Sequence, residues 1–209
     1  GKTELTKALA AVKGWNAVFE PMAPETQQLL DGFYSVLRGE KPNQGEPLNF
    51  QLYMLNQRYR DHMRIAYSNQ PSIQDRSIWG DNVFAKMLTD DGMIREHEYR
   101  QVYLKIFESM SMNLVAPSIV FFLKVSPEVA LERIRSRGRS FEHDITLEYL
   151  ERLDDEYETW LKRMENFTHV HRFNYDSKPL NSHTVTEIAS IIDEVHSHNH
   201  DRHLIKNII

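Results

Sequence analysis

Apolar residues fall into two patterns along this chain. Short unbroken runs alternate with stretches where apolar positions return every three or four residues. Leu5, Ala8, Leu9 and Val12 have helical spacing, so Thr3 to Val12 reads as a helix that Gly14 ends. Trp15 to Phe19 reads as a buried strand closing on Glu20-Pro21, and the proline presses Glu20 into an extended conformation. Helical patterns follow at Thr26–Leu37 and Asn49–Ala66, separated by a loop rich in Gly, Pro and Asn from Gly39 to Pro47. Ser72 to Asp75 reads as a short strand, and Asn82–Leu88 and Glu96–Leu114 as helices. Ile119 to Val125 is the clearest buried strand. Ser126 then caps a helix that starts on Pro127 and runs to about Ser136. A helix over Thr146–Met164, a strand over His169–Tyr175 and a helix over Thr184–His196 complete the pattern.

Apolar strands that alternate with helices predict an α/β fold, a parallel sheet covered on both faces. A further strand is expected ahead of Gly1, which brings the sheet to five strands. The length of 209 residues suits one domain with a sizeable core. The net charge of −5 argues against a nucleic-acid surface but leaves room for a small basic pocket. No cysteine is present, so disulfides and thiolate metal sites are excluded and a reducing, cytoplasmic setting is expected. No apolar run approaches the roughly 18–20 residues of a membrane span.

Three pieces point to phosphate chemistry. Gly1-Lys2-Thr3 before a helix matches the end of G-x-x-x-x-G-K-[ST], where the lysine reaches phosphates and the hydroxyl binds Mg²⁺. The sequence opens inside that loop, so its strand and first glycine are expected before Gly1. A helix N-terminus favours anions in any case. The second piece is Asp75-Arg76-Ser77 at a strand end, where the acid would hold or orient Mg²⁺ and Arg76 would bridge acceptor and phosphoryl group. The third is the run Arg133 to Arg139. Arg133 and Arg137 lie four apart on one helix face and Arg139 follows Gly138, the expected helix end. Arginines closing over a phosphoryl group from a lid would stabilise transition-state charge. The plainer alternatives are an exposed helix start, a strand-end salt bridge and a solvated helix face. Glu20, at the C-terminal end of a parallel strand where open α/β sheets bind ligands, suits a general base on a hydroxyl. Its alternative is a surface glutamate before a turn. Of the ten histidines, His196, His198, His200 and His203 form a polar tail in which Zn²⁺ binding would be incidental, and His169 and His171 are structural.

Together these residues resemble the deoxyribonucleoside kinase family, especially its bacterial deoxyadenosine/deoxyguanosine kinases. The resemblance runs from Gly1 to about Trp160 through Gly1-Lys2-Thr3, Glu20-Pro21, Phe50-Gln51, Gln74-Asp75-Arg76-Ser77-Ile78, Arg133-x-x-x-Arg137-Gly-Arg139, Glu148-Tyr149-Leu150 and Tyr157-x-x-Trp160. It implies a P-loop kinase fold with a five-stranded parallel sheet and an arginine-rich lid spanning about 133–144. By the same resemblance, Glu20 is the base on the deoxyribose 5′-OH and Arg76 its partner. Gly1, Lys2, Thr3, Arg137 and Asp176 bind the ATP or other triphosphate donor, and Thr3 and Asp75 the Mg²⁺. Arg133, Arg137 and Arg139 are lid arginines. Gln51 meets the base edge, Phe84 stacks near it, and Tyr34 and Glu142 take the sugar 3′-OH. Arg58 and Asp81 match positions that are charged in members accepting deoxyadenosine, deoxyguanosine or deoxycytidine, and away from thymidine. The stretch from Glu20 to Tyr34 is shorter than in the family and lacks its tryptophan. The loop before Phe50 is longer, and Asp81 to Phe84 is one residue shorter.

The expected activity is transfer of a γ-phosphoryl group to a deoxynucleoside in nucleotide salvage. A nucleoside-monophosphate kinase shares the fold, but a carboxylate at Glu20 repels an acceptor that carries its own phosphate. A non-catalytic subunit would have no need of Lys2, Glu20, Arg76 and the lid arginines together. A homodimer is expected, because Tyr53, Leu55, Tyr103, Ile106 and Met110 place apolar groups on more than one face of two helices.

Overall fold

Gly14 decides where the first helix stops. Its φ of 65° lies in the left-handed region that glycine adopts at least cost, and its N–H turns back to the carbonyl of Ala10. The computed structural model describes residues 1–20, 24–68, 70–138, 142–176 and 180–199. The helix so ended, α1, runs Lys2–Lys13 and buries Leu5, Leu9 and Ala10. Then come β1 (Asn16–Val18), α2 (Pro24–Leu37) and α3 (Glu46–Tyr67), which carries Pro47 in its first turn where no N–H is needed. Next are β2 (Ser72–Gln74), a 3₁₀ turn (Ile78–Gly80) and α4 (Asp81–Asp90).

The single helix expected over 96–114 is interrupted. Short α5 (Glu96–Glu98) passes through a π-turn (Tyr99–Tyr103) into α6 (Leu104–Ser111). Beyond it lie β3 (Ile119–Lys124), α7 (Pro127–Arg137), α8 (Leu147–Met164), β4 (His169–Asn174) and α9 (Ser182–Asn199). The Thr146 hydroxyl caps α8 by accepting the N–H of Tyr149 at 3.2 Å. Gly138, with φ 65°, ends α7 by donating to the carbonyls of Ile134 and Arg135.

All strand pairing is parallel. β1 runs beside β2 from Asn16↔Ser72 to Val18↔Gln74, and β3 beside β4 from Ile119↔His169 to Lys124↔Asn174. Among the described residues these are two separate pairs, so the expected five-stranded sheet is found as four strands without hydrogen bonds joining β2 to β3. Both pairs nevertheless serve one core. Ile73, Phe121, Leu123 and Phe173 pack with Leu5 and Leu9 of α1 and with Val185, Ile188 and Ile192 of α9.

A second cluster holds Leu55, Ile78, Ala85 and Tyr103, and a third Phe33, Leu88 and Ile94. Leu55 and Tyr103 were expected to offer apolar surface to a second chain. Both are fully buried inside this one, because α3, α4 and the π-turn close around them. On α3 and from the π-turn to β3, the large apolar residues left exposed are instead Tyr67, Val102, Met112 and Val115. Lys124 pairs with Asp154 and Glu158, and Arg172 with Glu158 and Glu165, which ties α8 to β3 and β4.

Parallel pairing has one consequence for function: within each pair the strands deliver their C-terminal ends to the same side. Glu20 follows β1, Asp75-Arg76 follows β2, Ser126 follows β3 and Asp176 follows β4.

Candidate active site

The N-terminus of α1 meets the end of β2. Thr3 Oγ1 donates to Asp75 Oδ2 at 2.7 Å, while Asp75 Oδ1 is buried with no protein partner. Such an orphaned carboxylate oxygen next to a hydroxyl is a hard-oxygen donor set. It suits a small divalent cation bound by one or two protein groups and otherwise by water and phosphate. Among the described residues there is no cluster of three or more His, Cys, Asp or Glu side chains able to hold a metal.

Lys2 sits in a crowd of cations. Arg76 first, then burial, with a further push from Arg137, lower its pKa from 10.5 to about 8 against the opposing pull of Asp75 and Glu20. Negative charge bound beside Lys2 would offset the push of Arg76 and Arg137 and favour its charged form.

Arg76 adopts φ 68°, the only non-glycine residue with positive φ among those described. Holding a long side chain in that region costs of order 1–3 kcal/mol and is seen where the surroundings over-determine it. Here they do. The guanidinium lies 5.0 Å above the ring of Phe84, donates to the Tyr157 hydroxyl at 3.3 Å and comes within 3.7 Å of Glu20 Oε2. Burial works against its charge, but Tyr157, Glu20 and Asp75 outweigh it and hold the pKa above the usual value.

Glu20 is clasped from two sides, since Arg58 of α3 donates to its other oxygen. Burial alone would raise the Glu20 pKa. Arg58, Arg76 and Lys2 together turn the balance and bring it below the usual carboxylate value. Arg58 also donates to Asp81, which is fully buried and accepts a second hydrogen bond from the Tyr103 hydroxyl at 2.6 Å. One guanidinium thus joins the carboxylate at the end of β1 to the carboxylate that opens α4. Its Nε is buried without a partner. Gln51, seven residues before Arg58, is buried on the same face of α3.

This arrangement holds an ionised carboxylate, two guanidinium groups, an ammonium and a hydroxyl–carboxylate pair at one strand-end face. It can take a proton from a hydroxyl while stabilising negative charge on a phosphoryl group. The sequence profile of the deoxynucleoside kinase family matches residues 1–200. The chain belongs to the deoxynucleoside kinase family. It is 34% identical over 175 residues to deoxyadenosine kinase of Dictyostelium discoideum, covering 84% of this chain and 68% of that one. It is 29% identical over 204 residues to deoxyadenosine/deoxycytidine kinase of Bacillus subtilis strain 168, covering 96% and 89%. A solved structure of deoxyadenosine kinase from M. mycoides, with products dCMP and a flexible dCDP bound, superposes with a TM-score of 0.72 at 25% identity, covering 94% of each chain. The kinase is therefore a transferase of the P-loop α/β fold.

The structure brings Lys2, Thr3, Glu20, Arg58, Asp75, Arg76, Asp81 and Phe84 together as expected. Other expected residues have other partners here. Arg133 donates to the carbonyls of Tyr175 and Asp176, both at 2.8 Å, and lies over the Tyr175 ring, so it clamps the end of β4. The Asp176 carboxylate accepts the Ser126 N–H at 2.7 Å, linking the ends of β3 and β4. Arg137 pairs with Glu142 at 2.8 Å, so the two expected contacts, to phosphate and to sugar, meet each other instead. Tyr34 packs edge-on against Phe33 in the third cluster. Arg139 lies outside the described residues.

Three tyrosines were named from sequence but given no role in the site. Tyr157 receives Arg76 and touches Phe84 and Phe122; its spacing to Trp160 was the available signal. Tyr149 is pushed up to about 12 by burial, then by Tyr34 and Tyr157. Tyr103 gave no signal, because in a helical pattern a tyrosine counts only as apolar.

Proposed function

We propose that this kinase transfers the γ-phosphoryl of ATP, or another nucleoside triphosphate, to the 5′-hydroxyl of a deoxynucleoside in cytoplasmic nucleotide salvage. In this reading the chain is one catalytic domain, with its lid at about 133–144. The observation that carries it is the clasp on Glu20. A carboxylate kept ionised between Arg58 and Arg76, within the field of Lys2, accepts a hydroxyl proton and disfavours an acceptor that already bears phosphate.

The 5′-oxygen forms a bond to the γ-phosphorus and the bond from that phosphorus to the β-bridging oxygen breaks. The diphosphate leaves with the electron pair, and the hydroxyl proton passes to Glu20. Lys2, Arg76 and, from the lid, Arg137 with Arg139 balance the charge on the transferring group. Thr3 and Asp75 hold Mg²⁺, which when bound neutralises phosphate charge.

Gln51 meets the base edge, and Phe84 flanks it. The charged Arg58–Asp81 pair favours deoxyadenosine, deoxyguanosine or deoxycytidine over thymidine. The names of the relatives, deoxyadenosine kinase and deoxyadenosine/deoxycytidine kinase, support that direction. The working unit is a homodimer, with Tyr67, Val102, Met112 and Val115 as the apolar surplus. A dimeric mass in light scattering at micromolar concentration is expected.

The deciding assay follows label from γ-labelled ATP and Mg²⁺ into deoxyadenosine, deoxyguanosine, deoxycytidine, thymidine, dAMP and dTMP. Label in the first three nucleosides is expected. Label in dAMP or dTMP alone, or in none of the six, would overturn this function.

A further inference from the structure

An ionised carboxylate with no exposure to water needs every strong acceptor position filled, because an unmet charge inside the protein is heavily disfavoured. Asp81 meets this demand with two partners from two elements. Arg58 of α3 occupies Oδ1, and the Tyr103 hydroxyl occupies Oδ2 at 2.6 Å. Tyr103 is itself fully buried, and burial pushes its phenol far above its ordinary value, so it stays a donor throughout the working pH range.

The segment that presents Tyr103 is unusual. The π-turn Tyr99–Tyr103 interrupts the helix where its tyrosines reach the start of α4. Tyr99 donates to Asn82 Oδ1 at 3.0 Å and Tyr103 to the adjacent Asp81. The rings of Tyr99, Tyr103 and Phe107 stack at 5.9 and 6.3 Å, which fixes the direction of both hydroxyls. π-turns of this kind recur at functional sites.

We infer that Tyr103 is a positioning residue: by holding Asp81 it sets how Arg58 is shared between Asp81 and Glu20, and so how readily Glu20 accepts the proton. This rests on the proposed role of Glu20 as base. Among the described residues, Arg58 is the link between the two carboxylates. Without the Tyr103 hydroxyl, Asp81 draws more of the Arg58 charge to itself, and Glu20 is held less firmly in its ionised form. Other groups facing Glu20 are Arg76 and Lys2. Arg58 also faces Arg76 and Tyr157, and Lys2 faces Asp75 and Arg137.

The test is the acid limb of the pH profile of kcat/KM for deoxyadenosine in four forms of the whole chain. Tyr103→Phe keeps the ring and should move the limb upward by roughly 0.5–1 pH unit. A 3-fluorotyrosine at position 103 is a stronger donor and should move it downward. Tyr99→Phe removes an equivalent hydroxyl from neutral Asn82 and should leave the limb in place. KM for the triphosphate should stay within about twofold in all three. A packing defect could not produce opposite shifts from two substitutions at one position. Glu20→Gln is measured alongside. If it is inactive while neither change at Tyr103 moves the limb, Tyr103 is only structural and the inference is wrong. If it keeps turnover, the base assignment falls and the inference falls with it. Should Tyr103→Phe not fold, the fluorinated chain alone decides, by a downward shift or none.

Discussion

Thr3 and Asp75 stand 72 positions apart in sequence and 2.7 Å apart in space. The contact closes the start of α1 onto the end of β2 and leaves Asp75 Oδ1 buried and open to a further partner. If that partner is Mg²⁺, Asp75→Asn should raise the concentration of Mg²⁺ needed for half-maximal rate by about 10–100-fold. Thr3→Ser should change it little and Thr3→Ala more. A Mg²⁺ titration that is the same for all three variants and the parent would remove the pair from metal binding.

Glu20→Gln should preserve the fold, since the amide oxygen can still accept from Arg58, which also keeps its pairing to Asp81. Loss of a general base is typically worth ~10²–10⁴ in rate. Turnover should fall within that range with deoxynucleoside affinity maintained. Single-turnover transfer separates this from slow product release, and near-parental transfer would take the base role from Glu20.

Lys2 gives a pH dependence with a defined sign. In the free enzyme its pKa is lowered to about 8, first by Arg76 and then by burial. A triphosphate adds negative charge next to it and raises that pKa, so binding takes up a proton. Affinity for the triphosphate is therefore greatest below pH 8 and declines as pH rises through 8. Calorimetry at pH 8 in buffers of different ionisation enthalpy should show net proton uptake, and Lys2→Met should abolish it. Proton release, or uptake unchanged in Lys2→Met, contradicts the assignment.

Much of this site was legible because its residues carry local signals. Pro21 marks where the first strand must stop and so places Glu20, and Asp75-Arg76-Ser77 ends a segment after Pro71 that is too short for a helix. Parallel strands then bring both to one face without any long-range knowledge. What sequence hid depends on partners that residue type does not name. An arginine four residues before another reads as a phosphate ligand, yet Arg133 binds two main-chain carbonyls. Tyr103 reads as one apolar residue among several on a helix, and a π-turn leaves no mark in hydrophobic spacing. Only the folded chain shows its hydroxyl on Asp81.

Base choice should reside in Arg58 and Asp81. Removing Arg58 alone leaves Asp81 buried with the Tyr103 hydroxyl but no opposite charge, and breaking a buried pair in this way costs about 3–5 kcal/mol; Arg58 without Asp81 still has Glu20. The Arg58 single change is therefore expected to lower stability strongly and to say little about specificity. Replacing both by small apolar residues removes the two charges together and should raise thymidine activity relative to deoxyadenosine and deoxycytidine. An unchanged preference ratio, with all activities reduced alike, would indicate general damage and remove the pair from recognition.

Arg133 and Arg137 share one face of α7 but should respond differently to alanine. Arg133 holds the carbonyls of Tyr175 and Asp176, so its removal should cost about 1.5–3 kcal/mol as charged hydrogen bonds are lost. At roughly 2–4 °C per kcal/mol for a chain of this size, the melting temperature should drop visibly. Arg137 is half exposed and among the described residues pairs with nearby Glu142, so Arg137→Ala should leave the melting temperature almost unchanged. Its expected effect is on chemistry: kcat lower by ~10²–10³, as for loss of one donor to a charged transition state, with little change in deoxynucleoside KM. A raised deoxynucleoside KM at constant kcat would place Arg137 in substrate binding, and the lid would then need another residue to reach the transferring phosphoryl group.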